Sequence, residues 1–263
     1  MEYDYVDIGG HVVRYAVEGE GPLLILIHEL TGSIESWDAV VPRLPGFRIL
    51  RFDMRGHGGS QKIVERATLR DFAGDLAALQ DKIGITEPAV IAGIAVGGAV
   101  ALGFAAWWPE RVFSVVAFSP ALGVPAESRP ERHSNADKLE REGMLAILPA
   151  AFDSGYPEKY QTGREDEFRI FRGRHAANDS RSMAHTFRML ADLDANTLLP
   201  AVDRPVLLVG CTDDTMRPPD YVKSMAARIS GARYTEIESG HHSAQLTPDR
   251  VAKVIAGFAG GAS

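Results

Sequence analysis

Short, unbroken apolar runs alternate along this chain with stretches whose apolar residues recur at helical spacing. Leu23–Ile27 is wholly apolar, as a strand buried on both faces must be, and Phe47–Phe52, Ala89–Ala92, Val112–Phe118, Val206–Val209 and Arg233–Ile237 read as further strands. Asp71–Ile83 places Phe72, Leu76, Leu79 and Ile83 on one helical face, and Gly84 follows where a helix would stop. Short helices are expected at Trp37–Leu44 and Tyr221–Ile229, and a closing one at Pro248–Phe258. Tyr3–Val17 alternates polar with apolar about Gly9-Gly10, the pattern of an antiparallel hairpin at a sheet edge. Strand and helix in strict succession predict an α/β fold, a mostly parallel central sheet flanked by helices.

Between Ala121 and Leu199 the pattern changes. No buried strand is legible there, while Ala136–Leu148, Glu165–Ala176 and Ser180–Leu193 each carry an amphipathic helical pattern. The expected organisation is a core of residues 1–120 and 200–263 with a helical cap, 121–199, inserted between two of its strands.

Composition narrows the partners. With 263 residues, 45% apolar and 24% charged, the chain is long enough for one large core. A net charge of −7 and the lack of any Lys/Arg-rich block argue against nucleic acid or an anionic membrane as partner. No apolar run approaches the roughly 20 residues that cross a bilayer, and no signal-like segment opens the chain, so a cytoplasmic protein acting on a small molecule is expected. A homo-oligomer is left open. Cys211, the single cysteine, follows a buried strand and is expected to be an inert thiol. No His/Cys spacing suits zinc, and nothing calls for a cofactor.

The chemistry centres on Ile91-Ala92-Gly93-Ile94-Ala95-Val96-Gly97-Gly98-Ala99. A strand running into small residues and then a helix is the setting of the nucleophile elbow, G-x-S-x-G, whose middle residue is raised above the sheet by a strained turn. Gly93 and Gly97 are in place, but the middle residue is Ala95. A methyl group neither attacks a carbonyl nor releases a proton. Three explanations compete: an accidental packing motif, a natural pseudoenzyme that binds a small molecule, or a Ser→Ala variant of an active enzyme.

Four signals in order decide between them: His28-Glu29 after the first buried strand, Asp53-Met54-Arg55-Gly56-His57-Gly58, the elbow, and Gly240-His241 before the last helix. On these the chain resembles the α/β-hydrolases over essentially its full length. Leu139–Met144 and Phe187–Leu190 further resemble the 3-oxoadipate enol-lactonase branch. The resemblance implies a Ser-acid-His triad in that chain order. His241 takes the place of the base, with His242 a weaker alternative. The acid falls in Gly210-Cys211-Thr212-Asp213-Asp214-Thr215-Met216-Arg217-Pro218, where counting from the glycine selects Asp213 and counting from the proline selects Asp214; Asp213 is preferred. The resemblance also implies an oxyanion hole from the amides of Leu30 and Val96, with Glu29 standing where the family usually has glycine, and a bracing role for Asp53 and His57.

The cap carries Arg164, Arg169, Arg172, Arg174, Arg181 and Arg188. One or two turned inward would clamp a substrate carboxylate, and Arg172, Arg174 and Arg188 are the candidates. With every other part retained, the sequence favours a metal-free serine hydrolase of a small carboxylated ester or enol-lactone, inactivated by Ala95. Amide or carbon–carbon cleavage by the same triad, and the pseudoenzyme, remain as alternatives.

Overall fold

The uninterrupted apolar runs form the middle of the sheet. In the computed structural model, which describes residues 2–261, strands β1 (Asp4–Asp7), β2 (Val12–Glu18), β3 (Leu23–Ile27), β4 (Arg48–Phe52), β5 (Ala89–Ile94), β6 (Val112–Phe118), β7 (Val206–Cys211) and β8 (Arg233–Ile237) lie in the order β1-β2-β4-β3-β5-β6-β7-β8. The β1–β2 and β2–β4 pairs are antiparallel and all others parallel. Every residue of β3, β5 and β7 is buried, which is why those strands lack a polar alternation.

Successive strand residues face opposite layers. Leu23, Ile25 and Ile27 pack with Phe72 and Leu76 of α1 (Leu69–Lys82) and Phe104 of α2 (Val96–Trp107). Leu24 and Leu26 face the other way, onto Trp37 and onto Ile255 and Phe258 of the last helix. The start of α1 is fixed by Thr68, whose hydroxyl accepts the Asp71 amide while the Asp71 carboxylate accepts the Thr68 amide, so two orphan donors are satisfied reciprocally.

Between β6 and β7 the described chain is helical: α3 (Arg129–Glu142), α4 (Leu148–Gly155), α5 (Glu165–Ala176), α6 (Ser180–Asp192) and α7 (Ala195–Leu198), with 3₁₀ turns between them. The first of these departs from the expected 136–148. Pro130, free of an intrahelical donor requirement, lets the helix begin at Arg129, and Gly143, at φ 82°, ends it at Glu142, six residues short of Leu148. Residues 37–44 form no α-helix but parts of two 3₁₀ turns, Ile34–Trp37 and Val41–Arg43. After β7 come α8 (Pro219–Ala226), then α9 (Ser243–Leu246) and α10 (Pro248–Gly261) following β8. No helix among the described residues is long and apolar enough to cross a membrane.

Candidate active site

The loops at the carboxyl ends of β3, β5, β7 and β8 meet beneath the helical insertion, the position where parallel sheets bind ligands. At the end of β5, Ala95 has φ 51° and ψ −112°, a conformation that an L-residue with a Cβ rarely adopts, and α2 begins at the next residue. Its carbonyl accepts the amides of both Ala99 and Ala121, and its own amide donates to Phe118, so the turn is held from three sides. The flanking glycines are required by close approach: a Cβ at Gly93 would lie 2.3 Å from the Gly97 carbonyl oxygen, and one at Gly97 2.3 Å from that of Ile27. A strained, fully braced elbow has therefore been built around a methyl group.

His241, in the loop after β8, sets its Nδ1 2.8 Å from Asp214 Oδ2. The other carboxylate oxygen accepts the amides of Met216 and Arg217 at 2.8 and 2.9 Å. Burial raises the Asp214 pKa, but the hydrogen bond and charge of His241, with help from the Arg217 amide, outweigh it and hold the carboxyl below its usual range. An ionised carboxylate only accepts, so Nδ1 carries a proton; in the neutral form of the ring it is therefore Nε2 that has the lone pair. Asp213, preferred from the sequence, is not the partner of His241. Its carboxylate takes the Tyr160 hydroxyl at 2.7 Å and the Lys159 ammonium at 2.8 Å, and faces outward. The count from Gly210 misleads because Gly210 lies inside β7, which continues to Cys211.

Leu30, Val96, Ala95, His241 and His242 line one cavity of about 110 Å³. This is well below the ~300–1,000 Å³ of sites for drug-sized ligands. Leu30 is followed by Thr31 at φ 65°, and Val96 opens α2, whose first-turn amides have no intrahelical acceptor. The apolar wall is made by Met144, Ile147, Phe187 and Leu190 among others.

The arginines lining the cavity are Arg132 of α3, itself solvent-exposed, and the half-buried Arg217, neither of them singled out from the sequence. Burial, with the Arg132 charge close by, lowers the Arg217 pKa, although Tyr221 and Asp214 oppose the shift. Arg217 Nε is buried without a hydrogen bond. The three expected clamps lie elsewhere. Arg188 is neutralised by Asp137 at 2.5 Å and Glu140 at 2.7 Å. Arg172 is exposed, over the ring of Phe152, and Arg174 lines a separate surface cleft with Arg14 and Lys62. Helical periodicity placed these side chains on helix faces, and only tertiary packing decides which faces look inward.

Asp53 and His57 are buried and are not among the residues lining the cavity. Asp53 accepts the Ile34 and Gly59 amides and the Arg14 guanidinium, while burial drives the His57 pKa down to about 3. Burial also pushes the Cys211 thiol up to about 12, so it is not a nucleophile. Among the described residues no group of three His, Cys, Asp or Glu side chains could hold a metal ion.

A family profile described as "Alpha/beta hydrolase family" matches residues 24–254. The chain belongs to the α/β-hydrolase family. It is 24% identical over 259 residues to the pyrrolizixenacetamide deacetylase of Xenorhabdus hominickii, covering 96% of each chain, and 22% identical over 238 residues to 3-oxoadipate enol-lactonase 1 of Acinetobacter baylyi, covering 90% of this chain and 88% of that one. Among solved structures, the enol-lactonase from Burkholderia xenovorans LB400 superposes with a TM-score of 0.91 at 26% identity, over 98% of this chain and all of that one. A malate-bound thermophilic esterase from Thermogutta terrifontis gives 0.91 at 25% identity, over 100% and 99%.

Proposed function

We propose that this α/β-hydrolase site is built to cleave a small carboxylated ester or enol-lactone in the cytoplasm through a serine-type triad, and that Ala95 leaves the chain without its nucleophile. The observation that carries the reading is the elbow itself: a strained, braced φ of 51° at an alanine between the end of β5 and the start of α2, the turn that raises a nucleophile's side chain above the sheet. With a hydroxyl at that position, His241 Nε2 would accept its proton as it attacks the substrate carbonyl, and Asp214 would stabilise the imidazolium. The developing oxyanion would sit on the amides of Leu30 and Val96. His241 would then protonate the leaving oxygen, and water would repeat the sequence on the acyl intermediate.

A carboxylate on the substrate is supported by Arg132 and Arg217, two cations in a cavity with no acidic residue in its lining. The enol-lactonase relatives and the malate-bound esterase agree in chemistry with a small acid. Restoring the hydroxyl by Ala95→Ser is expected to give hydrolysis of such substrates, with kcat/KM higher for the free acid than for its neutral methyl ester. Inertness of the folded variant toward esters, lactones and amides alike would refute the reading.

A further inference from the structure

The hydrolase reading leaves one conspicuous buried group unused. Glu29, fully buried in the loop after β3, stands where the family usually has glycine, and its Oε1 accepts hydrogen bonds from Ser36 Oγ and Gln245 Nε2, both at 2.9 Å. Neither bond reaches Oε2, which is buried and unpartnered. Opposite lies His242, with Nδ1 3.7 Å from Glu29 Oε1 and without a hydrogen bond of its own. The imidazole is clamped flat on Tyr156 of the cap, rings 4.2 Å apart and 3° from parallel, and a Cβ at Gly155 would strike its far edge at 2.6 Å. His242 lines the same cavity as Ala95 and His241, the two imidazoles standing perpendicular with centroids 5.3 Å apart. Two histidine–carboxylate pairs thus face one cavity that has no nucleophile.

We infer that the chain as it stands is a proton-transfer catalyst, in which His242, positioned by Glu29, removes the proton α to the carbonyl of a small enol-lactone or keto acid. The inference takes from the hydrolase reading only its cavity and the amides of Leu30 and Val96. With the carbonyl carbon of the substrate above residue 95, as the amides of Leu30 and Val96 would hold it, the adjacent carbon would have to lie beside His242, which lines the same cavity. The imidazole takes the proton, the C–H bond breaks, and its electron pair moves through the α-carbon onto the carbonyl oxygen held by the two amides. The imidazolium formed next to Glu29 returns a proton to the γ-carbon as the electron pair comes back, shifting the double bond from β,γ to α,β. Nothing is oxidised or reduced, and charge is restored. Burial lowers the His242 pKa despite the opposing Glu29 carboxylate, which favours the neutral ring that accepts a proton; once the imidazolium forms, its charge outweighs the burial of Glu29 and holds that carboxyl below its usual range. The other titratable groups about the ring are His241 and Asp214 from the core loops and Tyr156 and His175 from the cap. An alanine at the elbow then has a purpose: a hydroxyl there would consume the lactone that the imidazole isomerises.

The test uses the full chain, unaltered, with 5-methyl-2(3H)-furanone and its 5-carboxymethyl analogue as probes in D₂O, followed by proton NMR. Loss of the C3 signal and growth of the conjugated isomer at ten times the buffer rate or more are expected. His242→Gln should return both to background, with a melting curve showing that the variant is folded. Glu29→Gln, nearly isosteric, should slow exchange at least tenfold and move the acid limb of its pH profile lower, an effect that mere loss of packing would not produce. Exchange at the buffer rate, or exchange unaffected by His242→Gln, overturns the inference. Hydrolysis by Ala95→Ser without exchange in the unaltered chain overturns it alone, whereas exchange without hydrolysis in Ala95→Ser refutes the hydrolase reading and leaves this one standing.

Discussion

Replacing Asp214 by asparagine in the Ala95→Ser background separates the two neighbouring aspartates with a magnitude that the geometry supplies. Oδ1 of Asp214 already accepts two backbone amides and Oδ2 accepts His241 Nδ1. An asparagine has one accepting oxygen. Turning its NH₂ toward Met216 and Arg217 would set donor against two donors and leave both amides unpaired, so the NH₂ must face His241. Nδ1 then becomes the acceptor, the proton moves to Nε2, and the imidazole no longer takes a proton from the nucleophile. Imposing the wrong tautomer on a triad histidine costs about 10⁴ in turnover, or roughly 5.5 kcal/mol at about 1.4 kcal/mol per factor of ten. Asp213→Asn removes instead a surface ion pair with Lys159 whose carboxylate is 28% exposed. Such pairs contribute under about 1 kcal/mol, a few-fold at most. Steady-state kcat on one ester, with circular dichroism to establish folding, distinguishes the two. An equal loss for both variants, or a larger one for Asp213→Asn, would refute the assignment.

Other expected outcomes follow from the same geometry. Arg217→Ala in the Ala95→Ser background should cost about 2–5 kcal/mol in kcat/KM on a carboxylated ester and little on its methyl ester, whereas Arg188→Ala should leave that ratio unchanged; kinetics on the acid–ester pair decide it. Gly97→Ala should yield little folded protein, because the new Cβ would lie 2.3 Å from the Ile27 carbonyl oxygen, as soluble yield and melting temperature will show. His57 and His175 are each held by burial near a pKa of about 3, so the unfolded chain binds more protons than the folded one between there and their ordinary value of 6.5. Stability should therefore fall as pH drops through that window, by up to about 1.4 kcal/mol per pH unit for each histidine, and His57→Gln should flatten the dependence in urea titrations.

What was legible in the sequence was what local pattern determines. Leu23–Ile27 and Ala89–Ala92 announce buried parallel strands because both faces are covered, and the glycines at 93 and 97 mark backbone contact at the elbow. The acid was narrowed to two residues and misjudged by one, because nothing local shows that β7 runs past Gly210 to Cys211. The arginines that line the cavity were missed for another reason. Arg132 lies ahead of the amphipathic stretch, on a turn of α3 that Pro130 initiates, and Arg217 lies in a loop, so both owe their direction to tertiary contacts. Glu29 was visible as a departure from the family pattern, but its burial against Gln245 and His242, some 210 residues away, was not.

The claim on which the rest depends is that residue 95 occupies a working nucleophile position. Intact-mass spectrometry of Ala95→Ser after incubation with a fluorophosphonate measures it directly, with the unaltered chain as control. One phosphonyl adduct per chain is expected, localised by peptide mapping to position 95 and absent from the Ala95→Ser/His241→Gln double variant. Folded Ala95→Ser protein that stays unlabelled, or that labels equally without His241, would contradict it.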